Sequence, residues 1–195
     1  MNRRKALVML CLAVLAAMEA RGRTIAKECA TVQLENSHLV DASVLQNAEN
    51  TATRIFGDIG VSVRWMHSAA RPVGEACLQI HVGLSSNSPA DVAPGALAYS
   101  LPYQNGGKQI QVFLDRALRP LSAGNGIVLG HVMAHEIGHV IEGVSRHSDK
   151  GVMKAYWTDA DFYQMSRRQF QFAHEDEGLI HKGLSNRQTL LYANR

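Results

Sequence analysis

The chain has 195 residues, which suits one domain of ordinary size. Its composition, 46% hydrophobic and 19% charged, is that of a globular protein and excludes a disordered, collagen-like or multi-span membrane protein. The formal charge of +3 includes three basic side chains and one acidic side chain within the first twenty residues, so the rest of the chain carries +1. No basic stripe is present, and nucleic acid is therefore not an expected partner.

The first twenty residues have the pattern of a secretory signal peptide. A polar and basic start precedes an apolar run from Ala6 to Met18, which is short for a membrane span, and Ala17 and Ala20 offer cleavage points. We therefore expect a signal peptide over 1–20, export to the periplasm or the medium, and one domain over 21–195 with no stable membrane insertion. An uncleaved anchor and a lipid-modified Cys11 are the alternatives.

Two cysteines, Cys29 and Cys77, remain after removal of such a signal. An even pair in an exported protein favours one disulfide. Two free thiols are the alternative.

The pattern of apolar residues predicts an α/β (α+β) fold. Strands are predicted at 31–34, 61–66, 77–82, 96–101 and 109–114, the fourth as an edge strand after a loop at 85–94, with a turn at 105–107 before the last. Asp41 is a good N-cap for a helix that Gly57 and Gly60 can end. This order fits a sheet in two or three layers with a long helix against it.

The second half of the chain is helical. Residues 127–142 are apolar on most faces, which is typical of a helix buried against a sheet. Thr158 and Asp161 resemble a capping box, and two shorter helices are predicted at 160–167 and 173–182.

The buried helix carries the chemistry of the sequence, His135-Glu136-Ile137-Gly138-His139. Residues four apart lie one turn apart on one helix face, so both imidazoles can bind one Zn²⁺ at about 2.0–2.1 Å. Glu136 would lie beside the ion, where it can accept a proton from a metal-bound water. The structural alternative is a pair of hydrogen-bonded core histidines.

A catalytic zinc usually has three protein ligands and a fourth position for water. Gly143 can end the helix in the left-handed conformation, which allows His147 to return as the third ligand. Met153 follows at a distance that suits a tight turn beneath the histidines.

These motifs resemble the metzincin metalloproteases, and the His-Ser pair with a following Met is most similar to the matrixin branch. The resemblance implies a twisted mixed sheet packed on the long zinc-binding helix, followed by short C-terminal helices. It also implies one catalytic Zn²⁺, with roles for five residues: His135, His139 and His147 as ligands, Glu136 as general base, and Met153 in the Met-turn.

One departure from the family pattern concerns the loop. The family places the glycine seven residues and the third ligand ten residues after the first histidine. Gly143 and His147 stand eight and twelve residues after it, so the loop is two residues longer. Other carboxylates are therefore considered as third ligands: Glu142 on the histidine face, which could instead hydrogen-bond a ligand, and Glu175 or Glu177 at a later helix start.

Three further residues lie near the motifs. Tyr156 follows Met153 by three residues, whereas the tyrosine that supports the oxyanion in some metzincins follows by two, so we expect a structural role for Tyr156. Tyr99 is expected to cover the core rather than line a cleft. His131, one turn before His135, is expected to be packed or to hydrogen-bond a ligand.

The sequence therefore predicts a secreted zinc-dependent endopeptidase acting on peptides or proteins. A peptide would add as a strand alongside 96–101. If Cys29 is not in a disulfide, it could instead bind the zinc ion as an inhibitor. The alternatives are a secreted zinc-stabilised binding module without protease activity and a zinc hydrolase of a non-peptide bond. The sequence contains no indication of oligomeric state.

Overall fold

The computed structural model of the protein describes residues 28–67, 77–101, 109–118 and 125–193. The predicted signal peptide at 1–20 and the predicted turn at 105–107 lie outside these residues. In chain order the elements are β1 (Cys29–Glu35), a 3-10 turn (Ser37–Leu39), α1 (Ala42–Gly57), β2 (Ser62–Met66), β3 (Leu78–Ser85), β4 (Ala98–Leu101), β5 (Gln109–Phe113), α2 (Leu114–Ala117), α3 (Asn125–Glu142), α4 (Asp159–Arg167) and α5 (His174–Ala193).

The five strands form one mixed sheet, which confirms the predicted fold class. Their order is β2-β1-β3-β5-β4. The first four strands are parallel, and β4 pairs antiparallel to β5 at the edge, with Ser100 opposite Ile110. Because β4 has one described neighbour, its other edge is free to pair with an extended chain.

One face of the sheet carries the core. Alternate residues of β1 and β3 on this face, among them Val32 and Ile80, are fully buried against the helices. Residues on the opposite face, such as Gln79 and His81, are half-buried. Helices α1 and α3 pack against the sheet, and α4 and α5 pack against α3.

Helix α3 lies very close to α1 because two glycines face that helix. A Cβ on Gly126 would lie 2.6 Å from the Val44 carbonyl oxygen, and one on Gly130 would lie 2.5 Å from the Ala48 carbonyl oxygen. Both contacts are with backbone atoms, which cannot rotate away as the end of a side chain can. These glycines therefore set the depth at which α3 lies in the core.

The C-terminal helices differ in part from the prediction. α4 begins at the expected capping box, in which the Thr158 hydroxyl accepts from the Asp161 N–H. α5 has 20 residues, so the prediction of a short helix ending near Lys182 is wrong. Its continuation has a tertiary cause, since Gly183 contacts the Ile141 carbonyl so closely that no larger residue fits. Helix α2, directly after β5, was also not predicted.

Cys29 and Cys77 form the disulfide that the sequence predicts. It joins the starts of β1 and β3, which are adjacent in the sheet. Closing a loop of this length stabilises the fold by about 4 kcal/mol in the chain-entropy description. Within the described residues, no helix has both the length and the hydropathy required to span a membrane.

Candidate metal centre

The centre of the candidate site is the HExxH segment on α3. His135 and His139 lie on one face of the helix, and their Nε2 atoms are 3.0 Å apart. Helix α3 holds both rings firmly, because its other faces are packed: Ile137 and Val140 are fully buried. The two imidazoles are therefore fixed relative to each other before any ligand binds.

Backbone carbonyls determine which nitrogen of each ring carries hydrogen. His135 donates from Nδ1 to the Val152 carbonyl at 2.8 Å, and His139 donates from Nδ1 to the Val144 carbonyl at 3.1 Å. Each Nε2 is then a lone-pair acceptor, so the 3.0 Å approach joins two acceptors with no hydrogen between them. A cation satisfies both lone pairs, and this donor set is the one that Zn²⁺ prefers.

Burial keeps these rings neutral. It lowers the pKa of His135 to about 3, with a further contribution from the charge of His139. Burial likewise lowers the pKa of His139 to about 4, with His147 adding to the effect. Because a neutral imidazole is the form that binds a metal, both rings are ready to do so at physiological pH.

The third histidine arrives from the loop after α3. Gly143 ends the helix with φ +70°, and its N–H donates to the His139 carbonyl at 2.9 Å. The chain then turns so that the ring of His147 lies 4.9 Å from that of His139, centroid to centroid. Ligand atoms of His135, His139 and His147 all lie within 4.8 Å of one another, and within the described residues this is the one such group that could hold a metal ion.

A buried carboxylate holds the segment that carries His147. Asp176 on α5 is fully buried, and its Oδ1 accepts from Arg146 Nη2 at 2.6 Å and from the Ser148 hydroxyl at 2.5 Å. Its Oδ2 accepts from the Ala173 N–H at 3.0 Å, at the start of α5. Asp176 therefore fixes the residues on both sides of His147, although His147 itself is exposed.

The predicted Met-turn lies beneath the histidines. Met153 is fully buried, and its carbonyl accepts from the Ser148 N–H at 2.8 Å. A Cβ on Gly138 would lie 2.7 Å from Met153 Sδ, so the glycine within the HExxH segment allows this methionine to contact the helix. The preceding residue, Val152, supplies the carbonyl that orients His135.

Glu136 faces the edge strand of the sheet. The residue is 7% exposed, and Ser100 on β4 is the neighbour that stabilises the charged carboxylate. Burial raises the pKa of Glu136 to about 7, while the hydrogen bond from Ser100 opposes this rise. A carboxylate with such a pKa can both accept and return a proton near neutral pH.

A cleft of about 690 Å³ opens over these residues. One wall is β4 with the segment before it, and the other is the segment that follows Met153. The Trp157 ring stands edge-on to that of His135 at 5.6 Å. Tyr156 lines the cleft with 83% of its surface exposed. Tyr99, 38% exposed, borders the cleft too, and its ring packs 5.8 Å from that of the fully buried Phe113, as expected of an aromatic residue that covers the core.

The alternative carboxylate ligands lie outside the histidine group. Glu175 is 3.7 Å from Arg146, and Glu177 is 3.9 Å from His181. Glu142 has both carboxylate oxygens buried without a hydrogen-bond partner, so it does not orient a ligand histidine as one alternative proposed. His131 is packed in the core, as expected. Its Nδ1 donates a hydrogen bond to the Ile127 carbonyl, and its Nε2 accepts one from the Phe170 N–H.

Sequence reasoning missed four residues of this site: Ser100, Gly138, Trp157 and Asp176. Gly138 stood inside the recognised motif, and its small size was a usable signal. Asp176 lies among the acidic residues 175–177, which have the composition of a solvated helix start. Its role depends on contacts with residues about thirty positions earlier, which no local pattern indicates.

No protein-family description and no curated protein sequence matches the chain. Solved structures do match. Archaemetzincin from Methanopyrus kandleri is 16% identical with a TM-score of 0.52, and the match covers 84% of this chain and 99% of that one. A zinc-dependent peptidase from Methanocorpusculum labreanum is 10% identical with a TM-score of 0.56, covering 77% and 99%. Metalloproteinase-II from Bacteroides fragilis is 10% identical with a TM-score of 0.51, covering 83% and 55%.

These similarities define the class of fold. The chain has the fold found in zinc-dependent metallopeptidases, among them archaemetzincin. At 10–16% identity they concern the fold alone, so activity has to be argued from the site. The particular resemblance to matrixins stays a prediction.

Proposed function

We propose that the protein is an exported zinc-dependent endopeptidase. The observation that carries this proposal is the convergence of three imidazoles beside a buried glutamate on the floor of a cleft, next to the free edge of a sheet. His135, His139 and His147 would hold the ion. A structural zinc would need neither the buried Glu136 nor the open cleft above it.

Bound Zn²⁺ would supply Lewis acidity, which polarises a peptide carbonyl and makes water a stronger acid. Glu136 then receives the proton of the attacking water at its carboxylate and returns it to the amine nitrogen that leaves. Ser100 on β4 stabilises the charged form of this carboxylate. Trp157 and Tyr156 line the other side of the cleft.

The edge strand β4 supports binding of an extended peptide. Its residues Ala98, Tyr99 and Ser100 line the cleft, and β5 is its one described partner strand. A peptide that pairs with this edge gains main-chain hydrogen bonds whatever its sequence, and alternate side chains enter the cleft. The wall opposite β4 is largely apolar, since Ala155, Trp157 and Phe162 line it.

The cleft favours cleavage within a chain over removal of amino-terminal residues. An aminopeptidase needs a negative group that binds the terminal ammonium. Among the described residues that line the cleft, Glu136 is the one carboxylate, and its role as proton acceptor leaves it unavailable for that purpose. Lys154, also in the lining, bonds to Asp161 at 2.6 Å and would repel an ammonium.

Glu136→Gln tests the proposal most directly. We expect the variant to keep zinc at wild-type stoichiometry and to lose about 10³-fold or more of kcat on internally quenched peptides. Glu175→Gln is the matched control, because its side chain is 74% exposed on α5. A Glu136→Gln variant that still cleaves peptides contradicts the mechanism. A wild-type protein that binds zinc and cleaves no peptide favours the binding module or the non-peptide hydrolase.

Export is a separate part of the proposal. It is supported by the amino-terminal pattern and by the disulfide, since disulfides persist in oxidising compartments. Expression of the full chain in a bacterium, followed by amino-terminal sequencing of the exported protein, tests it. We expect a start after Ala17 or Ala20, and a full-length protein retained in the cell contradicts it.

A further inference from the structure

The wall of the cleft that precedes β4 begins with a tight turn, Ala93–Ala96. Its Ala96 N–H donates to the Ala93 carbonyl at 3.1 Å, and Gly95 adopts φ +89° after Pro94. This is the pattern of a type II turn, in which proline precedes a residue of positive φ. All four residues line the cleft.

A single guanidinium holds both ends of this turn. Arg116 on α2 donates from Nη1 to the Ala93 carbonyl at 2.9 Å and to the Ala96 carbonyl at 2.9 Å. The side chain also lies over the Phe113 ring, 5.8 Å from its centroid. Hydrogen bonds from a charged donor are stronger than those between neutral groups, so Arg116 is a strong restraint on the turn.

The turn leads directly into the edge strand. The Phe113 N–H donates to the Leu97 carbonyl at 2.9 Å, and regular pairing of β4 with β5 begins at Ala98. The neighbouring residue of α2 holds the same loop at an earlier point, through a 2.9 Å bond from the Ser88 hydroxyl to Asp115. Helix α2 therefore fixes the path by which the chain enters β4.

We propose that Arg116 is a positioning residue for substrate: it holds the Ala93–Ala96 turn in the conformation in which the wall of the cleft and the free edge of β4 accept an extended peptide. This inference rests on the proposed peptidase function. Arg116 touches neither the histidines nor Glu136, and it acts only through the turn.

The expected consequence is a change in substrate binding without a change in chemistry. If loss of both hydrogen bonds reduces the competent conformation of the turn to about one tenth, the apparent affinity for peptide falls about tenfold. Zinc affinity and kcat should stay at wild-type values, because the metal ligands and Glu136 lie on α3 and the loop after it. A residue needed only for folding would instead lower the amount of active protein.

The test compares three variants on one internally quenched peptide that the wild type cleaves. Arg116→Met removes both donors, and Arg116→Lys restores a charged donor. Arg167→Met is the matched control, since Arg167 is exposed on α4 and lies over Tyr163, outside the lining of the cleft. The readouts are KM, kcat, zinc affinity and amide hydrogen exchange of Ala96.

We expect Arg116→Met to raise KM about tenfold and to speed exchange of the Ala96 amide, with kcat and zinc affinity unchanged. Arg116→Lys should recover part of the KM effect, and Arg167→Met should have none. Unchanged KM in Arg116→Met, or a fall in kcat or zinc affinity with KM unchanged, overturns the inference. If Arg116→Met does not fold, Arg116→Gln, which is uncharged and shorter, takes its place, and a wild-type KM and exchange rate in that variant overturns the inference. An inactive wild type overturns the proposed function, and this inference with it.

Discussion

The two helical histidines and the loop histidine reach the same point by different means. His135 and His139 lie on α3, a helix whose other faces are packed, and carbonyls from the chain beyond α3 orient their rings. His147 is exposed, and its position depends on Asp176 holding Arg146 and Ser148. One pair is fixed by a helix, and the third ring is fixed by a distant carboxylate.

This difference explains how the site accommodates a longer loop. Two extra residues between the helix and the third histidine change the path of the chain. If that histidine stood on a helix, the same insertion would rotate its side chain to another face of the helix. A histidine on a loop can keep its position despite the insertion, provided that some contact fixes where the loop ends. Asp176 supplies that contact from α5, because it binds the residues on both sides of His147.

The largest effect should come from removing a ligand from either region. We expect His139→Ala and His147→Ala each to lower zinc affinity by more than about 100-fold, measured by competition with a chelator, because loss of a ligand exceeds loss of its hydrogen-bond partner. Added imidazole should restore zinc binding to His147→Ala, whose site is exposed, and not to His139→Ala, whose ring is 6% exposed. Equal rescue of both variants would contradict the distinction between the two regions.

Burial of a histidine on α3 should also make the free energy of unfolding depend on pH. Burial lowers the pKa of His131 to about 4 from 6.5, and its Nε2 accepts from the Phe170 N–H. Between these pH values the unfolded chain binds the proton and the folded protein does not. The free energy of unfolding therefore falls with falling pH, by about 1.4 kcal/mol per pH unit and about 3 kcal/mol in total from this group.

Urea unfolding of the metal-free protein between pH 7 and 4 measures this effect. His131→Gln can still donate and accept hydrogen bonds but does not titrate, so its stability should depend less steeply on pH by that amount. The same slope in wild type and variant would show that His131 is not responsible. Exposed His174 is the control position, and His174→Gln should leave the slope unchanged.

The loop region depends on Asp176. We expect Asp176→Asn to lower zinc affinity about 10- to 100-fold, because Arg146 and Ser148 lose their common acceptor charge and His147 is less well placed. Ser148→Ala removes one of these bonds and should have a smaller effect. Glu177→Gln on the same helix serves as control, because Glu177 is paired with His181 and not with Arg146. Zinc affinity that is unchanged in Asp176→Asn would mean that the loop holds His147 by itself.

The smallest effects concern the glycines of α3. Gly130→Ala should lower the free energy of unfolding by about 2 kcal/mol, since its Cβ meets a backbone oxygen of α1. Gly138→Ala should cost about 1 kcal/mol, because the Met153 side chain can move and alanine favours the helix. Thermal or urea unfolding measures both. A larger loss in Gly138→Ala would show that Met153 is held as rigidly as the backbone.

The sequence by itself determined the parts of this protein that depend on local geometry. The helical period places His135 and His139 on one face, alternation predicts the strands, and the even cysteine pair predicts the disulfide. The capping box at Thr158 and the helix end at Gly143 likewise depend on residues a few positions apart. Each of these features follows from the conformations that a short segment can adopt.

The tertiary structure decided the features that join distant segments. Asp176 is thirty residues from Arg146, Ser100 is thirty-six from Glu136, and Arg116 holds a turn more than twenty residues earlier. It also extended α5 past Gly183 against α3. These outcomes depend on which surfaces meet when the sheet and helices pack, and a single sequence read along the chain does not contain that information.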